Sequence, residues 1–208
     1  MAQPMIKLTG KDVPFVWSPE CENQYVAFLQ RISLTITSLI ILHTIPPIST
    51  ETPITQIYPD APTMILIDGI CVNTVNMYYC EQSIISKLDN PHSEITTVTK
   101  IAVFNALYIS ESTVDLIRDN FLPKAENPLA ETQLQTCLAT YNNVEKLMEG
   151  AYKAMLHNEY SEMRRYQSSV LGVLDNCKSD FDLMVRTNSW VRLMINISIF
   201  ASRKLPAP

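Results

Sequence analysis

Glycine is scarce in this chain and accounts for only 4 of its 208 residues. Folds built from many tight turns use glycine freely, so its scarcity argues against them and favours long helices. Hydrophobic residues make up 47% of the chain, which is typical of a globular protein and not of a disordered one. The length is sufficient for one ordinary domain with a sizeable core but short for two. We therefore expect one domain, with appendages.

Positive charge is also in short supply. The 16 lysine and arginine residues are outnumbered by 21 aspartate and glutamate residues, which gives a formal net charge of -5. Without a basic stripe the chain has nothing to displace the counterions of a nucleic acid, which argues against nucleic acid as a partner. A basic protein is a better match for this charge.

Motifs for catalysis are missing as well. No serine elbow, phosphate-binding loop or metal-binding helix motif occurs in the sequence. The three histidines, His43, His92 and His157, fall in an apolar segment, a loop and a turn, so no helix face holds one as a base or a metal ligand. We therefore expect no enzyme activity, no catalytic residue, no metal and no cofactor.

The longest early apolar run, residues 32–45, is too short to span a bilayer, where about 20 residues are needed. It follows Arg31 and stops at Pro46, a pattern typical of a secretory signal. About thirty residues precede it, whereas such a signal normally starts at the initiator methionine. A strand of some N-terminal structure is the alternative. The signal interpretation predicts a secreted protein with no membrane segment in its mature form.

Proline and threonine dominate residues 45–62. Repeated proline prevents both a helix and a central strand, so this stretch is interpreted as a linker. Residues 32–65 are therefore predicted to be a signal-like apolar segment followed by a linker, and residues 66–208 to form the folded domain.

Apolar residues recur at steps of three and four beyond the linker, which is the spacing of one helix face. The first such stretch runs from Ile95 to Ile117. The face of the second consists of Leu134, Leu138, Tyr141, Val144, Met148, Ala151 and Met155. The third opens near Ser161, and its face consists of Met163, Tyr166, Val170, Leu174, Cys177 and Phe181. With residues 190–201 as a fourth, short connections predict an antiparallel four-helix bundle.

Three connections between these helices are expected. Pro123 and Pro128 bracket the first, because proline inside a helix costs about 3 kcal/mol or more. The second is the turn at residues 157–160, and the third is at residues 186–188. The methionines and tyrosines on the inward faces are interpreted as core side chains and not as a cofactor pocket.

The chain has five cysteines, and their spacing excludes two kinds of site. No pair has the two to four intervening residues that are usual for zinc ligands or redox dithiols. Cys137 lies about twenty residues before the 157–160 turn and Cys177 about seventeen after it, so both lie at nearly the same height on antiparallel neighbours. A disulfide is therefore allowed there, with free buried thiols as the alternative. Cys21 is left over.

The segment CVNTVNMYYC at residues 71–80, together with residues 137–181, resembles the plant invertase and pectin methylesterase inhibitor family. Members have two nearby cysteines in an N-terminal helical hairpin, a third cysteine with a tyrosine four residues on, and a fourth followed by an aromatic residue. The matching residues are Cys71, Cys80, Cys137, Tyr141, Cys177 and Phe181. The resemblance covers about residues 66–204.

This resemblance implies an all-α fold: an antiparallel four-helix bundle with an N-terminal helical hairpin and two disulfides, Cys71 to Cys80 and Cys137 to Cys177. It also implies a secreted, noncatalytic inhibitor. Such a protein docks on a plant cell wall carbohydrate-active enzyme in the apoplast, either pectin methylesterase or an acid invertase, and blocks its substrate cleft.

The target enzyme stays open on this resemblance. Some invertase inhibitors carry a Pro-Lys-Phe turn between the second and third bundle helices. Here the corresponding residues are His157, Asn158, Glu159 and Tyr160, so that motif is missing. On the other side, the segment at residues 71–80 looks closer to the first cysteine loop of invertase inhibitors. The four turn residues are the candidate partner-binding residues.

Two functional alternatives remain: a secreted helical-bundle carrier of a small apolar ligand, and a non-inhibitory, allergen-like family member. Residues 1–31 lie outside the resemblance. Residues 7–31 are similar to a short segment of retroelement polyproteins, so residues 1–31 are interpreted as a retroelement-derived extension ahead of the true start.

Overall fold

The computed structural model describes residues 57–206. The predictions for residues 1–31 and for the apolar segment at residues 32–45 therefore lie outside the described residues, as do Cys21 and His43.

Six α-helices make up the described part of the chain. They are α1 (Ala61–Cys71), α2 (Met77–Ile85), α3 (Ile95–Leu116), α4 (Pro128–Leu156), α5 (Tyr160–Leu174) and α6 (Asp182–Ser202). A π-helical turn at Ile117–Phe121 and a 3-10 turn at Leu122–Lys124 extend α3. No strand occurs between residues 57 and 206, and the predicted all-α fold is confirmed.

The four long helices form the bundle, and each packs against two others: α3 against α4, α4 against α5, α5 against α6, and α6 back against α3. Short connections make these neighbours antiparallel. Helices α1 and α2 form the hairpin, which packs on α3 and α6. The Asn105 side-chain amide of α3 donates to the carbonyl of Ser83 in α2 at 2.7 Å. The ring centroids of Tyr79 in α2 and Trp190 in α6 lie 3.9 Å apart. The hairpin therefore contacts the α3/α6 side of the bundle.

The apolar face predicted for α4 lies in the core. Six of its seven side chains are buried and Leu138 packs against them partly buried; the six are Leu134, Tyr141, Val144, Met148, Ala151 and Met155. Met163, Val170 and Leu174 of α5 are buried opposite them. The methionines are therefore core side chains, as the spacing predicted.

Helices α4 and α5 approach closely at Gly150. A Cβ atom built on Gly150 would lie 2.8 Å from the ring of Tyr166, which is shorter than any ordinary contact between carbon atoms. The missing side chain gives room for that ring, so Tyr166 packs against the core although it is only partly buried.

The predicted third connection is wrong. Helix α5 ends at Leu174, and residues 186–188 lie inside α6, so the connection is at residues 175–181. Cys177 and Phe181 continue the apolar spacing for other reasons: Cys177 is in a disulfide, and the ring of Phe181 packs edge-on against Phe121 at 5.3 Å. The three- and four-residue spacing of Cys177 and Phe181 therefore predicted a longer α5 than the structure has.

The first helix begins inside the predicted linker. Asp60 is the N-cap residue of α1, and Pro62 lies in the first turn, where its missing N–H leaves no helical hydrogen bond unmade. Pro62 therefore does not break a helix, as the linker interpretation expects of proline, but lies in the first turn of α1. The folded part therefore begins about five residues before position 66.

Both implied disulfides are present. Cys71 at the end of α1 is bonded to Cys80 of α2, and Cys137 of α4 is bonded to Cys177 in the connection after α5. All four residues are buried. Each bond therefore joins two elements of the fold, one within the hairpin and one within the bundle.

A hydrogen-bonded chain runs beside the second disulfide. The Tyr141 hydroxyl donates to the Asn188 side-chain oxygen at 2.7 Å, and the Asn188 amide donates to the carbonyl of Cys177 at 3.1 Å. Burial raises the pKa of Tyr141, which keeps its hydroxyl protonated as a donor. Asn188 therefore links α4, α6 and the disulfide at one level of the bundle.

Asp60 ties the start of α1 to the loop before α3. Its carboxylate accepts from the Thr63 backbone at 2.9 Å and lies 2.8 Å from Nδ1 of His92, while its own N–H donates to the carbonyl of Pro91 at 2.9 Å. The Ser93 N–H donates to the Thr63 hydroxyl at 2.8 Å. Hydrogen bonds from Thr63, with a smaller contribution from His92, lower the pKa of Asp60 to about 2.

The two disulfides are expected to differ in their effect on stability. The bond between Cys137 and Cys177 spans 40 residues and the bond between Cys71 and Cys80 spans 9. In the chain-entropy account, replacing both cysteines of the longer loop by alanine lowers the free energy of unfolding by about 4 kcal/mol, against about 2.7 kcal/mol for the shorter loop. Urea unfolding of the two double variants measures this. An equal loss, or a larger loss for the hairpin variant, contradicts it.

Replacing Asp60 by asparagine is expected to change the pH dependence of stability. Asparagine keeps the cap but not the charge. Because the pKa of Asp60 is lower in the folded state, its charge stabilises the fold above pH about 4, and this contribution is lost as the pH falls toward about 2. The difference in unfolding free energy between the parent protein and Asp60→Asn should therefore shrink over that range in urea titrations. A difference that does not vary between pH 6 and pH 2 is the contrary result.

Candidate functional site

The turn between α4 and α5 contains the four residues predicted to bind a partner. Asn158 has a positive φ of 60°, the left-handed conformation that asparagine adopts more easily than most residues. Its N–H donates to the carbonyl of Met155 at 3.2 Å, and the Glu159 N–H donates to the carbonyl of Ala154 at 2.9 Å. These two bonds are those of a Schellman motif, which ends α4 abruptly.

The side chains of this turn face solvent on a fixed backbone. His157, Asn158 and Glu159 are exposed, whereas Tyr160 is half-buried and packs against the core. The Tyr160 hydroxyl donates to the Asn158 side-chain oxygen at 2.9 Å. The turn is therefore ordered before any partner arrives.

Three aromatic side chains lie together on the outer side of α3 and α4. The ring of Phe104 lies 5.6 Å from that of Tyr152 and 6.4 Å from that of Tyr108. Phe104 is 40% exposed and Tyr108 is 60% exposed. Leu156, which is 48% exposed, follows Tyr152 by one turn of α4 and leads to the 157–160 turn. Exposed apolar side chains grouped in this way make the surface a candidate contact site.

Carboxylates continue this surface beyond the rings. Partial burial and then the charges of Glu145 and Glu149 raise the pKa of Glu111. Glu111 follows Tyr108 on α3 by three residues, and Glu149 precedes Tyr152 on α4 by three residues, so rings and carboxylates share one side. We call these six residues the α3/α4 face: Phe104, Tyr108, Tyr152, Glu111, Glu145 and Glu149.

The sequence predictions did not include the α3/α4 face. Phe104 and Tyr108 are four residues apart and lie off the inward face of α3 that includes Ala102. Large aromatic residues repeated at helical spacing on the outer side were the available signal.

A second exposed apolar region is at the tip of the hairpin. Val72, Val75 and Tyr78 are between 63% and 84% exposed, and the disulfide of Cys71 and Cys80 closes the loop that carries them. Asn76 caps α2 by accepting from the Tyr79 N–H at 3.0 Å. The disulfide and the Asn76 cap therefore hold the backbone of this region in place.

Groups of metal ligands and membrane-spanning helices are both absent from the described residues. Between residues 57 and 206 no three His, Cys, Asp or Glu side chains are grouped as metal ligands. None of the helices in that range has both the length and the apolar character to cross a membrane. The two described histidines lie apart from the α3/α4 face, since His92 contacts Asp60 and His157 is in the turn.

Replacing Asn158 is expected to separate the backbone conformation from the side-chain contact. Asn158→Ala should lower the free energy of unfolding by about 1 kcal/mol, because a Cβ-bearing residue without asparagine's local hydrogen bonding is disfavoured at positive φ. Asn158→Gly should be close to the parent protein. His157→Ala is the control, since φ of His157 is -95°. Urea unfolding of all three measures this, and an equal loss for glycine and alanine would assign the effect to the contact with Tyr160.

No protein-family model and no curated protein sequence matches the chain. Chains of solved structures do match it. One is a mutant form of a pectin methylesterase inhibitor from Arabidopsis, with a TM-score of 0.58, 16% sequence identity, and coverage of 68% of this chain and 98% of the other. Another is a pectin methylesterase inhibitor from Arabidopsis thaliana, with a TM-score of 0.51, 16% identity, and coverage of 72% and 99%. The chain therefore has the all-helical fold of pectin methylesterase inhibitors.

Proposed function

We propose that the protein is a secreted inhibitor that docks on a plant cell wall carbohydrate-active enzyme and blocks its substrate cleft. The observation that carries this proposal is the likeness in fold to two proteins described as pectin methylesterase inhibitors, whose chains are covered at 98% and 99%. That likeness is joined by four buried cysteines in two disulfides, which suit an oxidising compartment outside the cytosol.

Pectin methylesterase is the first target we propose, because both structural neighbours are pectin methylesterase inhibitors. An acid invertase is the second target. The partner is a protein and not a nucleic acid, since the net charge of -5 opposes contact with phosphates. The same charge attracts a basic enzyme surface and speeds association at low salt.

The turn at residues 157–160 is proposed to contact the enzyme. Its Schellman bonds and the hydrogen bond from Tyr160 to Asn158 hold it in one conformation. A surface that is already ordered loses little conformational entropy on docking, which favours tight inhibition. The exposed side chains of His157 and Glu159 are the contacts we expect there.

A carrier of an apolar ligand is disfavoured by the interior of the bundle. Tyr141, Met148 and Met163 are fully buried where such a ligand would lie. Protein interiors are packed densely, so binding a ligand among these side chains would require displacing them.

Inhibition assays test the proposal. Purified protein at micromolar concentration should lower the rate of pectin methylesterase, with acid invertase measured in parallel. His157→Ala combined with Glu159→Ala should raise the half-inhibitory concentration by about fivefold or more, as expected for interface side chains. Glu126→Ala is the control, because Glu126 is exposed just before α4, at the opposite end of that helix from the turn. Full activity of both enzymes at micromolar inhibitor contradicts the proposal.

A further inference from the structure

The α3/α4 face has an apolar end and an acidic end at a fixed spacing. Phe104 and Glu111 are seven residues apart on α3, which corresponds to about 10 Å along the helix. Tyr152 lies beside Phe104, and Glu145 precedes Tyr152 by the same seven residues that separate Glu111 from Phe104, so Glu145 and Glu111 lie at one level. The antiparallel register therefore aligns ring with ring and carboxylate with carboxylate.

Two of the three carboxylates of this face have no ion-pair partner among the described residues. Lys153 forms an ion pair with Glu149, with Nζ 2.5 Å from Oε1. Between residues 57 and 206 neither Glu111 nor Glu145 forms an ion pair. Arg118, the next cation after Glu111 along the chain, forms ion pairs with Asp115 and Asp119 and not with Glu111. The unpaired charges of Glu111 and Glu145 repel one another, and a cationic partner relieves that repulsion.

The rings at the other end favour the same kind of partner. Exposed aromatic rings bury a large apolar area when a side chain covers them, and their faces attract cations. Arginine is suited to both ends, since its planar guanidinium stacks on rings and forms paired hydrogen bonds with carboxylates. An anionic polysaccharide such as pectin is repelled by the same carboxylates.

We propose that the α3/α4 face binds a basic surface segment of the target enzyme, with an apolar side chain against Phe104, Tyr108 and Tyr152 and an arginine or lysine among the carboxylates. This inference rests on the proposed inhibitory function and extends it. The face is continuous with the 157–160 turn through Leu156, so one enzyme can contact both.

Binding measurements with charge variants test this inference. In the test variant, glutamine replaces Glu111, Glu145 and Glu149. In the control variant the same number of charges is removed elsewhere, by Asp89→Asn, Glu126→Gln and Glu131→Gln, all at exposed positions. The dissociation constant for whichever enzyme the parent protein inhibits should rise by about tenfold or more for the test variant and by less than about twofold for the control. The salt dependence of binding should be reduced more in the test variant than in the control.

Aromatic variants test the other end of the face. Tyr108→Ala should weaken binding by about tenfold, and Tyr58→Ala is the control because Tyr58 is 74% exposed outside the helices. Carbodiimide labelling of the parent protein is a measurement that needs no variant: the enzyme should protect Glu111 from labelling.

The outcomes separate the two proposals. If the parent protein inhibits an enzyme but the test and control variants bind it equally, or Glu111 labels equally in the complex, the inference about the α3/α4 face is wrong and the inhibitory function stands. If the parent protein inhibits neither enzyme, both are wrong. If Tyr108→Ala weakens binding to pectin and leaves binding to the enzyme unchanged, the face is a carbohydrate site and the inference is overturned.

Discussion

The bond between Cys137 and Cys177 is the constraint on which the rest of the bundle depends. It fixes α4 to the connection between α5 and α6, and Asn188 joins the same point to α6 by donating to the carbonyl of Cys177 and accepting from Tyr141. Three helices are thus held at one height near one end of the bundle. Their register at the other end, where the 157–160 turn lies, follows from their rigid lengths.

The disulfide and the hydrogen bonds of Asn188 lie inside the bundle and do not cover its outer surfaces. The hairpin contacts the α3/α6 side of the bundle, whereas the α3/α4 face exposes two aromatic rings and crowded carboxylates. The face is supported by a core of buried apolar side chains together with two disulfides. A partner that covers the rings and neutralises the carboxylates gains binding free energy from both contacts. Because the face is rigid, little conformational entropy is lost on binding.

The limits of sequence-based prediction can be seen in particular residues. The apolar face of α4 was predictable because seven positions follow helical spacing without a break. The end of α5 was not, because Cys177 and Phe181 keep that spacing for the sake of a disulfide and a ring contact with Phe121. Asn188 is polar, which favours a turn, yet it is a half-buried residue inside α6 whose side chain is hydrogen-bonded to Tyr141 and Cys177. The α3/α4 face depends on the register between two helices, which spacing within either helix does not determine.

Hydroxyl-radical footprinting of the protein, alone and bound to pectin methylesterase, is the most direct test of the central claim that a rigid bundle docks through one continuous surface. The account predicts reduced oxidation of Tyr108 on the α3/α4 face and of His157 in the turn. Tyr58 and Tyr78 should keep their reactivity, and the buried Tyr141 should gain none. Protection at Tyr78 without protection at Tyr108, or new reactivity at Tyr141 on binding, would contradict it.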